Sequence, residues 1–464
     1  MVEDIIIKRK ISNFLNNEVK DFARYVIETR ACPSIMDGLR SGARKIVYAG
    51  MVGDLKGKEK VKIKLPSFLG DTMKLKYHHG EMSLHNTSVQ MASDYLIKYK
   101  PFKMIGQMPD IRNTKISVAS RYLSIMRSEH FDMFEYDKEL FDIKVEEGEQ
   151  IEPKYLLPIV PIVLLYRTNS PGFGFSFRSF SYTLDSVIDN CIKSISKGTC
   201  QDQMIDLIPE VVGCKGSSFI KNLNKDCYYS IGEFSLDANK DVMTITDLPY
   251  NVQSSKYREH LDELITKGYI TKYSNLSLGN NIKYVITFPH GRLNQFLTDK
   301  WKFFQIFKLF AKVPTDTLNV IDTDGKSIMQ LENPFELIDI FVKRRLEIYK
   351  NRKIRLIKVL NEKIKDLSNI IRFITLVNDG NIIISKRPIS DIKKDLDTHK
   401  LPYEVLRISV SKLTKDEILD LEKEVESTKS YLNYIESTSE EDMYISELID
   451  LKFKKSTIIK KENI

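Results

Sequence analysis

The sequence predicts an α+β multidomain chain, and three observations carry that prediction. Its 464 residues suffice for about three domains with buried cores. Strand-like and helical runs mix through residues 181–324, whereas everything beyond Pro334 follows a helical period. Charge is uneven: the first 130 residues hold 23 Lys and Arg against 13 Asp and Glu, while the remainder is close to neutral. A basic N-terminal third points to a polyanion partner, although a solvated basic face gives the same count. The five cysteines include no CxxC pair, and no histidine spacing assembles a metal site. No apolar run reaches membrane-spanning length and no signal peptide opens the chain, which fits a reducing, cytoplasmic setting.

Taken in order, Ile11, Phe14, Leu15, Val19, Phe22, Tyr25 and Val26 recur at helical spacing and predict a helix from about residue 6 to 30. After breaks at Cys32-Pro33 and Asp37-Gly38, Ser41 offers an N-cap for a short helix over 43–51 with Arg44 and Lys45 in its first turn. Residues 55–66 carry Lys56, Lys58, Lys60, Lys62 and Lys64, which predicts an exposed basic loop or hairpin. A second helix runs from Gly80 to about Tyr95, preceded by Lys76-Tyr77-His78-His79. Two short helices opening on cationic residues are what a helix-turn-helix reader presents to a duplex, but ordinary helices with polar starts share the pattern. Three prolines from Pro153 to Pro161 make 151–166 buried strand and turn, followed by a Gly- and Phe-rich loop to Phe180.

Strand-like runs at Tyr228–Ser235, Val242–Ile245 and Ile282–Phe288 define an α/β domain of about 140 residues that ends in a hairpin at 321–326. A helix over 335–375 would be about 60 Å long. With a return helix near 415–434 and a knot at 376–414, it predicts a long antiparallel coiled coil with a globular tip.

One pair stands out chemically. At pH 7 roughly one tyrosine in a thousand is phenolate; a neighbouring cation and donors aimed at a phosphate would let such a phenol attack a phosphodiester. Arg121-Tyr122 has that composition, although in a chain with 22 tyrosines packing explains an isolated pair equally well.

Other blocks lie around it in order: Arg30-Ala31-Cys32-Pro33, Asp37-Gly38-Leu39-Arg40 with Arg44-Lys45, Tyr77-His78-His79-Gly80-Glu81 with Ser83, Gly106-Gln107, Ala119-Ser120-Arg121-Tyr122, Glu152-Pro153 with Pro158-Ile159-Val160-Pro161, Thr246-Asp247-Leu248-Pro249, and Asp324-Gly325-Lys326. Together they resemble the DNA breakage-reunion subunit of type IIA topoisomerases, the part shared by gyrase A subunits and the C-terminal half of the eukaryotic enzyme, and most closely its T-even-type phage form. The resemblance implies a winged-helix (helix-turn-helix) DNA-gate domain at 1–180. It further implies a tower domain at 181–327, and a coiled coil with an exit-gate dimerisation domain at 328–464, its tip at about 376–414.

On this resemblance, Tyr122 forms a transient 5′-phosphotyrosyl break for ATP-dependent strand passage, relaxation and decatenation, and Arg121 steadies the phosphate and its developing charge. Arg30, Arg40, Arg44, Lys45, Lys76, His78, His79 and Ser83 line the duplex. Phe173 stands where the family carries a DNA-bending wedge, with Phe175 as rival. His78, His79 and water all remain open as the base for Tyr122. Where the family has a polar residue after the Pro-Val pair, this chain has Ser41-Gly42-Ala43. No metal ligand falls to this chain. Mg²⁺ and ATP are expected on a separate large subunit, with a homodimer of this chain forming the DNA and exit gates. The alternative is a non-catalytic architectural DNA-bending protein on the same scaffold.

Overall fold

The computed structural model describes residues 10–57, 61–110, 113–116, 122–172, 174–203, 205–210, 219–222, 227–278, 281–313, 316–384, 387–409 and 412–462. Arg121 and Phe173 lie outside the described residues. The chain divides into two compact units, 1–345 with 448–464, and 346–447.

In the first unit, helical turns run from Ile11 to Ala31, with π-helical segments at Leu15–Val19 and Ile27–Ala31. The short helix Ser41–Val52 follows, but Ser41 is not its cap: its hydroxyl donates to Glu152 at 3.1 Å instead. The basic stretch is only partly loop. Ile63–Lys64 pairs with Ser124–Arg127, and Leu65–Met73 forms an unforeseen helix whose first turn contains Pro66, where a missing N–H costs nothing. The Glu81–Met91 helix stops short of Tyr95, with Ala92 leaving the helical region at φ −103° and ψ 0°.

Ser124–Arg127 is the centre of a three-stranded antiparallel sheet, flanked by Ile63–Lys64 and Phe102–Ile105. Phe68, Phe102 and Phe131 bury their rings between this sheet and the helices, 5.3 and 5.4 Å apart in sequence of contact. The strand Glu149–Pro153 leads into the proline-punctuated stretch, where Leu156, Leu157, Ile159 and Val160 are buried without regular structure.

Farther along, Phe234–Asp237, Val242–Ile245, Tyr284–Thr287 and Lys272–Asn275 form a four-stranded antiparallel sheet. It packs on the Ser254–Thr266 helix through Ile245, Tyr257, Leu261, Tyr284, Ile286, Phe303 and Phe307. The expected single strand Tyr228–Ser235 is two strands in different sheets, Cys227–Ile231 and Phe234–Asp237. The chain turns between them because the Glu233 carbonyl accepts from the Thr246 and Asp247 amides. The hairpin Leu318–Ile321 with Ile328–Leu331 closes on Asp324, which accepts from the Lys326 and Ser327 amides at 2.8 Å.

The helix Pro334–Asn378 has 45 residues, about 68 Å at 1.5 Å per residue. Its 346–378 part belongs to the second unit, where the chain returns antiparallel through Lys415–Ser437 and the start of Glu440–Glu462. The pairing is explicit. Tyr349 stacks on Tyr444 at 4.8 Å, Lys353 donates to the Thr438 carbonyl at 2.8 Å, and Lys363 meets Glu424 at 2.7 Å. Between the arms, Phe373, Ile382, Leu396, Leu401 and Val405 form a small separate core.

Candidate nucleic-acid interface

A cleft of about 790 Å³ gathers Arg30, Arg40, Lys45, Lys76, His78, His79 and Ser83, together with Tyr25, Thr29, Lys144, Glu146 and Glu152. The N-terminal helical segment supplies Tyr25, Thr29 and Arg30. The turn before Glu81–Met91 supplies Lys76 to Gly80, and Ser83 and Thr87 of that helix line the cleft.

The contacts within the cleft set its protonation. The Arg30 guanidinium, which can only donate, approaches His79 Nδ1 at 3.2 Å, so that nitrogen carries a lone pair and the ring is the neutral Nε2–H form. Burial, then the charges of Arg30 and His78, hold His79 below the usual imidazole range. Tyr25 Oη stands 3.4 Å from His79 Nε2, and Tyr77 meets the ring edge-on.

A two-residue hairpin turn, Glu147-Gly148 with φ of 50° and 80°, joins Ile143–Glu146 to Glu149–Pro153 and presents acid to this basic turn. Lys76 pairs with Glu147 at 3.1 Å and Glu149 at 3.2 Å, while His78 Nε2 lies 2.9 Å from Glu146.

At the cleft floor Glu152 is 1% exposed and binds Lys45 at 2.6 Å, Lys144 at 3.3 Å and Ser41 at 3.1 Å. Burial alone would raise its carboxyl, but Lys144 and Lys45 outweigh burial and hold it below the ordinary carboxylate value. Lys45 also donates to the Leu75 carbonyl.

Arg44 does not line the cleft. It is buried, holds Asp37 with two nitrogens at 2.6 and 3.0 Å, and donates to the Leu39 carbonyl at 2.7 Å. Asp37 also accepts from the Leu39 and Leu156 amides. Gly38 sits beside it at φ +65°, where a Cβ would fall 2.5 Å from the Val163 nitrogen. Arg44 is thus buried against Asp37 and Leu39, and Lys45, buried against Glu152, lines the floor of the cleft.

Tyr122 is placed quite differently. Its side chain is 78% exposed, and the chain passes directly from it into the buried Leu123 and the central strand Ser124–Arg127. Leu123 anchors this entry twice: its carbonyl accepts from Leu65 N at 2.9 Å, and its side chain fills the space above Gly106. Gly106 has φ +134°, and a Cβ there would lie 2.5 Å from Leu123 Cδ2. Gly106 of the Gly106-Gln107 motif thus packs against Leu123, the residue that follows Tyr122.

A family model described as the A-type subunit of DNA gyrase/topoisomerase IV matches residues 30–454. The chain belongs to that family. It is similar to the mitochondrial DNA topoisomerase 2 of Dictyostelium discoideum, 28% identical over 462 residues, covering 95% of this chain and 35% of the relative. It is also similar to DNA topoisomerase 2 of Plasmodium falciparum (isolate K1 / Thailand), 27% identical over 420 residues, covering 88% and 29%. The chain thus spans about a third of the length of these curated relatives. In fold it matches the Plasmodium falciparum topoisomerase II DNA-binding, cleavage and re-ligation domain, with a TM-score of 0.83 at 24% identity over 97% of this chain and 65% of that one.

Among the described residues of this member of the gyrase/topoisomerase IV family, no group of three or more His, Cys, Asp or Glu side chains is placed to hold a metal ion. The loop between Thr168–Ser170 and Phe177–Ser179 packs Phe175 against the cluster of Ile27, Ala31, Cys32 and Ile321. Sequence reasoning missed Glu152 as the cleft's counter-charge. A lone acid in a proline-rich segment carries no local signal for lysines 107 and 8 residues away.

Proposed function

We propose that this chain is the DNA-cleaving part of a type II topoisomerase, an isomerase working through a transient double-strand break. The observation that carries the reading is Tyr122: an exposed phenol on a backbone locked at Leu123, in a chain of this family. Its Oη attacks a backbone phosphorus, an Oη–P bond forms, and the P–O3′ bond breaks. The phenolic proton leaves to His78, His79 or water, and the departing 3′ oxygen takes a proton from water to become the 3′ hydroxyl. One ester replaces another, so the 3′ hydroxyl can reverse the step without ATP at the chemical stage. Arg121 bears on the phosphate charge.

Arg30, Arg40, Lys76, His78, His79 and Ser83 make the cleft a phosphate-tracking surface, with Lys45 behind them. Phe173 is the bending wedge. Residues 1–180 act as a winged-helix gate, 181–327 as a tower and 328–464 as a coiled coil closing an exit gate. Two copies form the working dimer. Mg²⁺ and ATP are bound by a partner subunit, which makes the enzyme a divided assembly.

The test mixes the chain with that partner, Mg²⁺ and end-labelled duplex, denatures the mixture and resolves covalent adducts. A 5′-linked adduct is expected from wild type and none from Tyr122→Phe, with duplex binding retained. An adduct that persists in Tyr122→Phe removes Tyr122 from the mechanism. No adduct from wild type favours the architectural reading.

A further inference from the structure

One tyrosine of the cleft belongs to none of the sequence motifs. Tyr25 stands five residues before Arg30 and precedes the stretch matched by the family model. On a regular α-helix residues five apart diverge by about 140°, so the two side chains would look in different directions. The turn between them is not α-helical. Ile27–Ala31 is a π-helical segment, closed by the Cys32 amide donating to the Ile27 carbonyl, five residues back, at 3.1 Å. The wider turn lets Tyr25 and Arg30 reach one partner, His79, and sets the guanidinium 5.8 Å from the centre of the phenol ring. Ile27, Ala31 and Cys32 anchor that turn in a buried cluster with Ile321, and the Thr29 hydroxyl donates to the Tyr25 carbonyl at 2.7 Å.

His79 joins the two and fixes the direction of their hydrogen bonds. Arg30 donates to Nδ1 at 3.2 Å, which leaves the ring proton on Nε2. That N–H faces Tyr25 Oη at 3.4 Å, so the phenol oxygen is the acceptor and its own O–H is directed elsewhere. The side chain is 39% exposed and lines the cleft with Arg40, Lys76 and Ser83. We infer that Tyr25 is a phosphate-binding residue of the cleft, the uncharged donor that ends an Arg30–His79–Tyr25 hydrogen-bond chain. The inference rests on the reading of the cleft as a duplex surface. Each bond in such a chain polarises the next, so the cation at its head strengthens the outgoing bond to an anionic oxygen. A phosphodiester oxygen only accepts, which is what this donor requires. A hydroxyl oriented through an imidazole also has one direction, whereas the Lys76 ammonium is a rotatable point charge, so Tyr25 adds register rather than attraction.

The experiment measures duplex affinity of the full chain by fluorescence anisotropy over a salt series. Tyr25→Phe removes one hydroxyl from a part-exposed side chain, and thermal unfolding should match wild type. Its affinity should fall about tenfold or more, as for a hydrogen bond to a charged group. The slope of log affinity against log salt should stay within about 0.2 of wild type, because no cation is lost. In an Arg30→Met background, where nothing holds the His79 tautomer, the same substitution should cost less than about twofold. Single methylphosphonates, placed one at a time through the duplex, each remove one phosphate charge. At the phosphate that Tyr25 contacts, the penalty of Tyr25→Phe should shrink about threefold or more. Wild-type affinity in Tyr25→Phe overturns the inference. The full penalty in Arg30→Met overturns it too, as the chain then plays no part, and so does the full penalty at every methylphosphonate, which makes the role structural. A salt slope lowered by about 0.9 overturns it as well, since a cation has then left the duplex. If wild type itself shows no salt-dependent duplex binding, the reading of the cleft falls and the inference with it.

Discussion

Replacing Glu152 by glutamine removes one charge from the floor of the cleft and leaves its shape. The wild-type carboxylate is 1% exposed and shared by Lys45 at 2.6 Å, Lys144 at 3.3 Å and Ser41 at 3.1 Å. Lys144 is 36% exposed and can turn to water, but Lys45, at 7%, keeps only the Leu75 carbonyl. Removing one partner of a buried pair costs about 3–5 kcal/mol. The amide still accepts a hydrogen bond, so about 3 kcal/mol is expected, roughly a 150-fold loss in the folding equilibrium. Urea unfolding of the full chain at pH 7, followed by far-ultraviolet circular dichroism, reads this as an earlier first transition.

Glu152→Leu with Lys45→Met, apolar and of similar volume, should recover to within about 1 kcal/mol of wild type. The pH dependence has a definite sign. The folded carboxyl lies below its unfolded value of about 4.3, so its contribution is complete above that pH and is lost as pH falls towards the folded value. The gap between wild type and Glu152→Gln should therefore narrow only below about pH 4.3. A glutamine variant with the wild-type urea midpoint at pH 7, or a gap that narrows near neutrality, would refute this account of the floor.

Arg30→Met and Arg44→Met should differ in kind. The first should lower the slope of log affinity for duplex against log salt by about 0.9 with little change in stability, whereas the second should cost about 3–5 kcal/mol by stranding Asp37 and leave the slope alone. Gly106→Ala should cut adduct formation at least tenfold in the cleavage assay while duplex affinity holds, since its Cβ displaces Leu123 beside Tyr122. Glu147→Gln with Glu149→Gln should free Lys76 and raise duplex affinity, but by no more than about fivefold in a gel-shift titration, because exposed pairs are worth at most about 1 kcal/mol. In an imidazole NMR titration His79 should show a midpoint below 6.5 that rises in Arg30→Met, as a neighbouring cation is removed.

What the sequence made legible follows the range of each interaction. The 45-residue helix and the strand Val242–Ile245 repeat one local period long enough to declare themselves. The cleft residues were found as motifs, yet whether a cation faces outward or inward depends on partners elsewhere in the chain. Asp37 and Arg44 are seven residues apart, but their pairing is fixed by Leu156 and Val163 from far downstream. Glu152 reaches Lys45 across 107 residues. The Leu65–Met73 helix was hidden differently, since the lysines before it read as loop, although Pro66 in its first turn marks a helix start.

The order in which the polypeptide emerges from the ribosome meets an obstacle in this architecture. The first unit is discontinuous: residues 448–464 close it, and residues 346–447 are made in between. Lys452 meets Asp189 at 2.5 Å and Leu448 is fully buried, so these contacts form only after the whole intervening arm has been synthesised. At about 5–20 residues per second that is a wait of roughly 5–20 s. During it, the surface that receives Leu448 and Leu451 stands open to solvent and to other chains.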